Sequence, residues 1–187
     1  LFQAGGWTHL AEWKTVLEPH YRTARHMLGV STNPHLWYPD QKLKEIAEEL
    51  GYGESFQATD VGVFFGEQGQ EGQNVPDPYF DGRGPERAGC KQCGGCMVGC
   101  RYNAKNTLLK NYLYFAEKQG AEVLPEVKVH EVRPLTEGQP DSARYELEYR
   151  SSTGWLRGSV SRVRARNIIF AAGALGTAEL LLHCRDE

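Results

Sequence analysis

Between Gly66 and Gly89 the chain carries six glycines and three prolines. A helix needs every backbone N–H and a restricted φ, and a strand needs an unbroken ladder. This density of Gly and Pro excludes either across the stretch. Long irregular loops inside compact domains are uncommon, and most are functional or act as linkers. The stretch therefore predicts a boundary within or just after it, separating residues 1–89 from residues 90–187.

The flanking segments carry regular periodicities. Leu10, Trp13, Leu17, Tyr21 and Ala24 recur at steps of three and four. They predict a helix over Thr8 to Leu28, capped by Thr8, ended by Gly29 and kinked at Pro19. A second helix is expected from Gln41 to Leu50, with Asp40 as its cap and Leu43, Ile46, Ala47 and Leu50 as its apolar stripe. Asp60 to Phe65 alternates like a short strand. After the loop, Ala104 to Gln119 predicts a third helix, with Leu108, Tyr112 and Phe115 inward. Strands follow through Val123, through Val127 to Val132, and at Arg144 to Arg150, with a return strand from Trp155 to Arg164. Residues Asn167 to Ala172 form a continuous apolar run, the pattern of a parallel strand buried on both faces. A turn through Gly173 to Thr177 then leads into a helix from about Ala178. The fold class expected is α/β, and α+β in the N-terminal part.

Hydrophobic residues make up 40% of the chain and charged residues 24%. That balance supports an ordinary core and excludes disorder throughout. A formal charge of -3 gives no general attraction to nucleic acid. The longest apolar run, Ile168 to Leu175, is too short to span a bilayer. The chain opens Leu1-Phe2-Gln3 without a targeting pattern and closes inside a helical stretch. It reads as an internal fragment, with the rest of the parent polypeptide as its first partner. The compartment is left open, with the cytoplasm as default.

Two places can carry chemistry. The first is the strand-turn-helix unit Ile168 to Thr177, whose small residues Ala171, Ala172, Gly173, Ala174 and Gly176 let a ligand meet the backbone. The helix behind it offers unpaired N–H groups to a phosphate; close packing of strand on helix would use the same residues. The second is Cys90-x2-Cys93-x2-Cys96-x3-Cys100, which holds four of the five cysteines. The spacing equals that of the bacterial ferredoxin run, though Arg101 stands where Pro follows the last Cys there. An iron–sulphur cluster, zinc, a local disulfide and a tight turn of unligated thiols are all open from the residues. The six histidines show no ligand spacing, and there is no P-loop, nucleophile elbow or HExxH.

Three segments in order carry a resemblance: Gly99-Cys100-Arg101-Tyr102-Asn103-Ala104-Lys105-Asn106-Thr107-Leu108 with Lys110 to Leu113, then Val127-Lys128-Val129, then Ala172-Gly173-Ala174-Leu175-Gly176-Thr177-Ala178-Glu179-Leu180-Leu181. From Cys96 to Asp186 the chain resembles the glucose-methanol-choline (GMC) family of flavin oxidoreductases, in its cholesterol oxidase-like branch. The N-terminal half, with Val61 to Gly66 and Asp77 to Phe80, looks like the matching part of the substrate domain.

The resemblance implies a piece of a doubly wound FAD-binding domain (90–187) and a piece of a substrate domain (1–89). It implies FAD as cofactor and oxidation of a bulky apolar alcohol, such as a sterol, by hydride transfer to the flavin. By resemblance Val127 presents its backbone to the adenine, Ala172, Gly173 and Ala174 pack beside the dinucleotide, and Thr177 opens the helix behind them. The chain has no GxGxxG, and nothing in it matches the family's catalytic His region, so no catalytic residue is assigned and the fragment alone is expected to be inactive. Metal ligation by Cys90, Cys93, Cys96 and Cys100 would turn the reading toward a flavin dehydrogenase that passes electrons through an iron–sulphur centre. A stand-alone metal-binding or electron-carrier module is the alternative from another class.

Overall fold

The computed structural model describes residues 6–136, 142–154 and 158–186. These divide into two compact units at Ala121/Glu122.

Unit 1 opens with α1, Trp13–Met27. It starts five residues later than the periodicity suggests, because Trp7 to Leu10 close a separate turn and Trp13 Nε1 donates to Trp7 O at 2.7 Å. Pro19 sits inside α1 and does not end it. Gly29, at φ +56°, follows the helix in the left-handed region. Strands β1, Ser31–Thr32, and β2, Asp60–Val61, pair antiparallel and enclose α2, Tyr38–Glu49. Asp40 does not cap α2 from outside. Pro39 fits the first turn, the helix begins at Tyr38, and Asp40 accepts the Trp37 N–H at 2.9 Å from within it. The expected stripe is turned outward: Leu43 is 60% exposed and Leu50 68%.

The Gly/Pro-rich stretch holds two two-residue strands, β3 (Asn74–Val75) and β4 (Arg87–Ala88), paired antiparallel. It does not separate compact units. Its end is deeply buried, with Arg87 and Ala88 each 1% exposed, as are Ala104 and Asn111. A Cβ on Gly89 would lie 2.8 Å from Gln70 O and 2.9 Å from Phe65 O, so only glycine lets these backbones meet. Around this point Phe64, Tyr79, Phe80 and Phe115 form a chain of aromatic contacts, edge-on at both ends and tilted between Tyr79 and Phe80, with Phe80 and Phe115 centroids 5.0 Å apart. The third helix is shorter than expected. A 3₁₀ turn at Leu108–Lys110 precedes α3, Tyr112–Lys118, and the buried Asn111 between them accepts the Tyr112 N–H.

Unit 2 is a three-stranded antiparallel sheet with one helix. Its strands are β5 (Val127–Pro134), β6 (Tyr145–Ser151) and β7 (Ser161–Ala165), in that order. Val123 lies outside any strand. The start of the return strand at Trp155 falls outside the described residues. Cross-strand partners show why the alternation is stable. Val132, Leu147 and Val163 line up on one face, and Arg133, Glu146 and Arg164 on the other. On that second face Glu146, 8% exposed, accepts from Arg133 at 3.1 Å and Arg164 at 3.0 Å, while Glu148 is shared by Arg133 and Arg162. The register shifts between Val129 and Glu131, so His130 is an extra residue in β5.

Residues 167–172 are not a strand, and the parallel pair expected at Val127 and Ile168 does not form. Ile169 is 89% exposed. A strand buried on both faces needs a hydrogen-bonding neighbour on each side. Among the described residues, none pairs with this run. Helix α4, Gly173–Asp186, follows at once, five residues earlier than the sequence suggests. The small residues of the turn are its first turn. The observed class is mixed helix and sheet, consistent with an α/β piece. No helix among the described residues is long and apolar enough to cross a membrane.

Candidate functional site

The apolar face of the unit 2 sheet and helix α4 enclose a cleft of about 540 Å³. Val127, Val129 and Val132 form one wall, residues 168–172 another, and Gly176, Glu179, Leu180 and His183 the third. The extra residue at His130 makes the first wall possible. Were residues 127–132 an unbroken alternation, Val132 would point away from Val127 and Val129; placing His130 outside the ladder restores it to their side. The bulge also brings His130 itself to the cleft. Lys128 Nζ reaches Glu179 Oε1 at 3.3 Å across the mouth. Both side chains are exposed, so the pair orients more than it stabilises.

Of the residues singled out from the sequence, Val127 and Ala172 line this cleft together. Gly173, at φ +73°, and Ala174 lie in the first turn of α4 beside it, outside its lining. Thr177 does not open the helix. It sits inside α4, a full turn beyond Gly173. The sequence reading missed Lys128, His130, Glu179, Leu180 and His183. Gly176, Glu179, Leu180 and His183 recur at helical steps of three and four, a signal that was available once the helix is begun at Gly173. The bulge has no comparable sequence mark.

The four-cysteine run lies in unit 1. Cys90, Cys93, Cys96 and Cys100 all line one small cavity of about 50 Å³. All are free thiols, Cys93 and Cys96 exposed, Cys90 and Cys100 half-buried. The expected metal site does not form: among the described residues no three His, Cys, Asp or Glu side chains converge as a metal would require. Gly94 and Gly99, both at positive φ, turn the loop at two points. The sulfurs differ in surroundings. Burial pushes the Cys90 thiol up, against one N–H from Gln92 at 3.3 Å. Burial acts the same way on Cys100, but backbone N–H groups of Lys105, Ala104, Tyr102 and Asn103 outweigh it and bring the thiol below its ordinary range.

The family model for GMC oxidoreductase matches residues 83–184. That is more than half of the chain. The chain belongs to the GMC oxidoreductase family.

This GMC oxidoreductase chain is 45% identical, over its whole length, to a cholesterol oxidase of Acinetobacter baumannii, of which it covers 34%. It is 44% identical, over 97% of its length, to a cholesterol oxidase of Mycobacterium tuberculosis, of which it covers 31%. It thus spans about a third of the length of these curated relatives. No solved structure matches it. The segment matched to the GMC family holds both the cysteine run and the cleft, and crosses the division between the two units.

Proposed function

We propose that the cleft of unit 2 receives the adenine side of FAD in an enzyme that oxidises a bulky apolar alcohol, such as a sterol. The observation that carries this reading is the meeting of Val127 and Ala172, two sequence-distant candidates, in one apolar cleft. Its volume suits an aromatic ring system, and the donor set beside it suits a phosphate. Val127 and Val129 offer a flat apolar edge. Residues 171–174 carry no side chain larger than methyl, so a ligand can approach the backbone. Gly173 and Ala174 present N–H groups that the first turn of α4 leaves unpaired, and Thr177 continues the same helix.

Bound FAD would supply the hydride acceptor. The chain's own residues bind and orient, and no residue of this chain is assigned the alcohol proton. The two cholesterol oxidase relatives favour a sterol as the alcohol. Residues 1–89 would then be part of the substrate domain and residues 90–187 part of the cofactor domain. A dehydrogenase relaying electrons through a metal centre, or a stand-alone metal module, has no converging ligand set among the described residues to support it.

The test uses the full-length protein that contains this chain. It should purify with one flavin showing two resolved visible bands, and should reduce it on adding a 3β-hydroxysterol. Ala172→Glu, which sets a charge where the adenine side of FAD would cover it, should lower flavin content at least about tenfold. Full flavin in that variant, or a colourless parent protein that FAD does not load, overturns the reading.

A further inference from the structure

We propose that the cavity lined by Cys90, Cys93, Cys96 and Cys100 is a thiol redox site, in which Cys100 reduces a peroxide and a loop thiol closes a disulfide onto it. This does not rest on the flavin reading, since every residue used lies in unit 1.

Three observations converge. The first is placement: four thiols share one cavity of about 50 Å³, too small for an organic ligand, and no metal set forms there. The second is the donor shell of one sulfur. Cys100 Sγ accepts the Ala104 N–H at 3.4 Å, within a turn whose other N–H groups face the same atom. The third is Arg87. Its guanidinium, 1% exposed, donates to Asn103 O at 3.2 Å, to Ala104 O at 2.8 Å and to the Asn106 side chain. All three acceptors are neutral. Among the described residues Arg87 makes no salt bridge, although Tyr79, Cys100 and the Asp77 carboxylate act on its charge. The turn 103–104 therefore holds a cation on its carbonyl side and the Cys100 sulfur on its amide side. That arrangement favours an anionic sulfur, the form that attacks peroxides.

The reaction balances with a peroxide as oxidant. The Cys100 sulfur attacks one peroxide oxygen, the O–O bond breaks, and the leaving oxygen takes a proton and departs as water. Cys100 is then a sulfenic acid. The thiol of Cys93 or Cys96 attacks that sulfur, the S–O bond breaks, an S–S bond forms, and a second water leaves. Two thiols give up two electrons to one peroxide. The loop that must move carries Gly94 and Gly99, with nothing within 4 Å of where a Cβ would stand at either.

The test treats the reduced protein, purified anaerobically, with one equivalent of hydrogen peroxide, followed by peptide mass mapping. Cys93, Cys96 and Cys100 share the peptide Gln92 to Arg101, while Cys90 and Cys184 fall in others. That peptide should lose two mass units, reversibly, at least about tenfold faster than Cys184 is oxidised. Cys100→Ser should abolish the loss. Should that variant fail to fold, the double variant C93S/C96S, on the exposed loop, should accumulate a dimedone-trapped sulfenic acid at Cys100. The proposal is overturned by oxidation of Cys184 at the same rate, by an undiminished disulfide in Cys100→Ser, by no trapped sulfenic acid in the double variant, or by a stoichiometric metal that protects all four thiols.

Discussion

Unit 1 and unit 2 are held by different means. Unit 2 is a ladder: residues close in register repeat one pattern, apolar on one face and charged on the other. Unit 1 has strands of only two residues. It is tied instead by side chains that reach far along the sequence. Asn106 donates to Gly29 O at 2.9 Å across 77 positions and to the Tyr79 hydroxyl at 3.3 Å, while Arg87 gathers the carbonyls of 103 and 104. The lesson is that a ladder spreads its stability over many equivalent contacts, whereas a hub concentrates it in a few.

The largest effect should therefore follow removal of the hub. Arg87→Met removes three charge-assisted hydrogen bonds, leaving the Asn103 and Ala104 carbonyls only the Ala88 and Phe64 N–H groups, and should cost about 3–5 kcal/mol. Hydrogen exchange should show protection lost throughout unit 1, and equal loss in β5 to β7 would break the comparison. Next comes Gly29→Ala. The residue stands at φ +56°, and a Cβ there would collide with Asn106 and the Tyr79 ring. A loss of about 2–4 kcal/mol in urea denaturation is expected; a neutral result would show that the Asn106 tie can shift without cost.

The ladder should respond to pH instead. The Arg164 hydrogen bond, then that from Arg133, holds the Glu146 carboxyl below the ordinary value of 4.5. A depressed carboxylate stabilises the fold above its unfolded pKa, and that contribution is lost as pH falls through the folded value. Unit 2 should therefore lose stability below about pH 4.5, and Glu146→Gln should flatten the profile. An unchanged acid limb in that variant would remove Glu146 from the account. The smallest effect is expected for Lys128→Ala, whose partner Glu179 is 72% exposed; under about 0.5 kcal/mol should be lost. A larger loss would mean that the cleft mouth is held more firmly than its exposure suggests.

The same contrast explains what could be read in advance. The sheet strand at Tyr145 and the helix stop at Gly51 were legible, because alternation and left-handed glycine are local signals. The capping role of Asp40 was misplaced by three residues, since Pro39 fits a first turn as well as a preceding loop. The run at 167–172 was read as a buried strand from composition alone, and composition does not supply the neighbours a strand must bond. At the candidate site Val127 was found through resemblance, and Ala172 through both its small side chain and resemblance. His130 was not, because a single inserted residue leaves no trace in hydrophobic periodicity. Arg87 and Asn106 were also unmarked: their importance lies in contacts across many positions, which a window of neighbouring residues never contains.

The extra residue at His130 also acts as a parity switch. Up to Val129 odd-numbered residues face the cleft, and from Val132 onward even-numbered ones do. Straightening the strand with every residue kept would invert the wall, presenting Glu131 and Arg133 where Val132 now stands, whereas deleting His130 would set Glu131 directly after Val129 and leave Val132 on the wall. A gap of one in an alignment of related chains at this point would thus mark a straight strand that keeps the oily wall and lacks the histidine at the cleft.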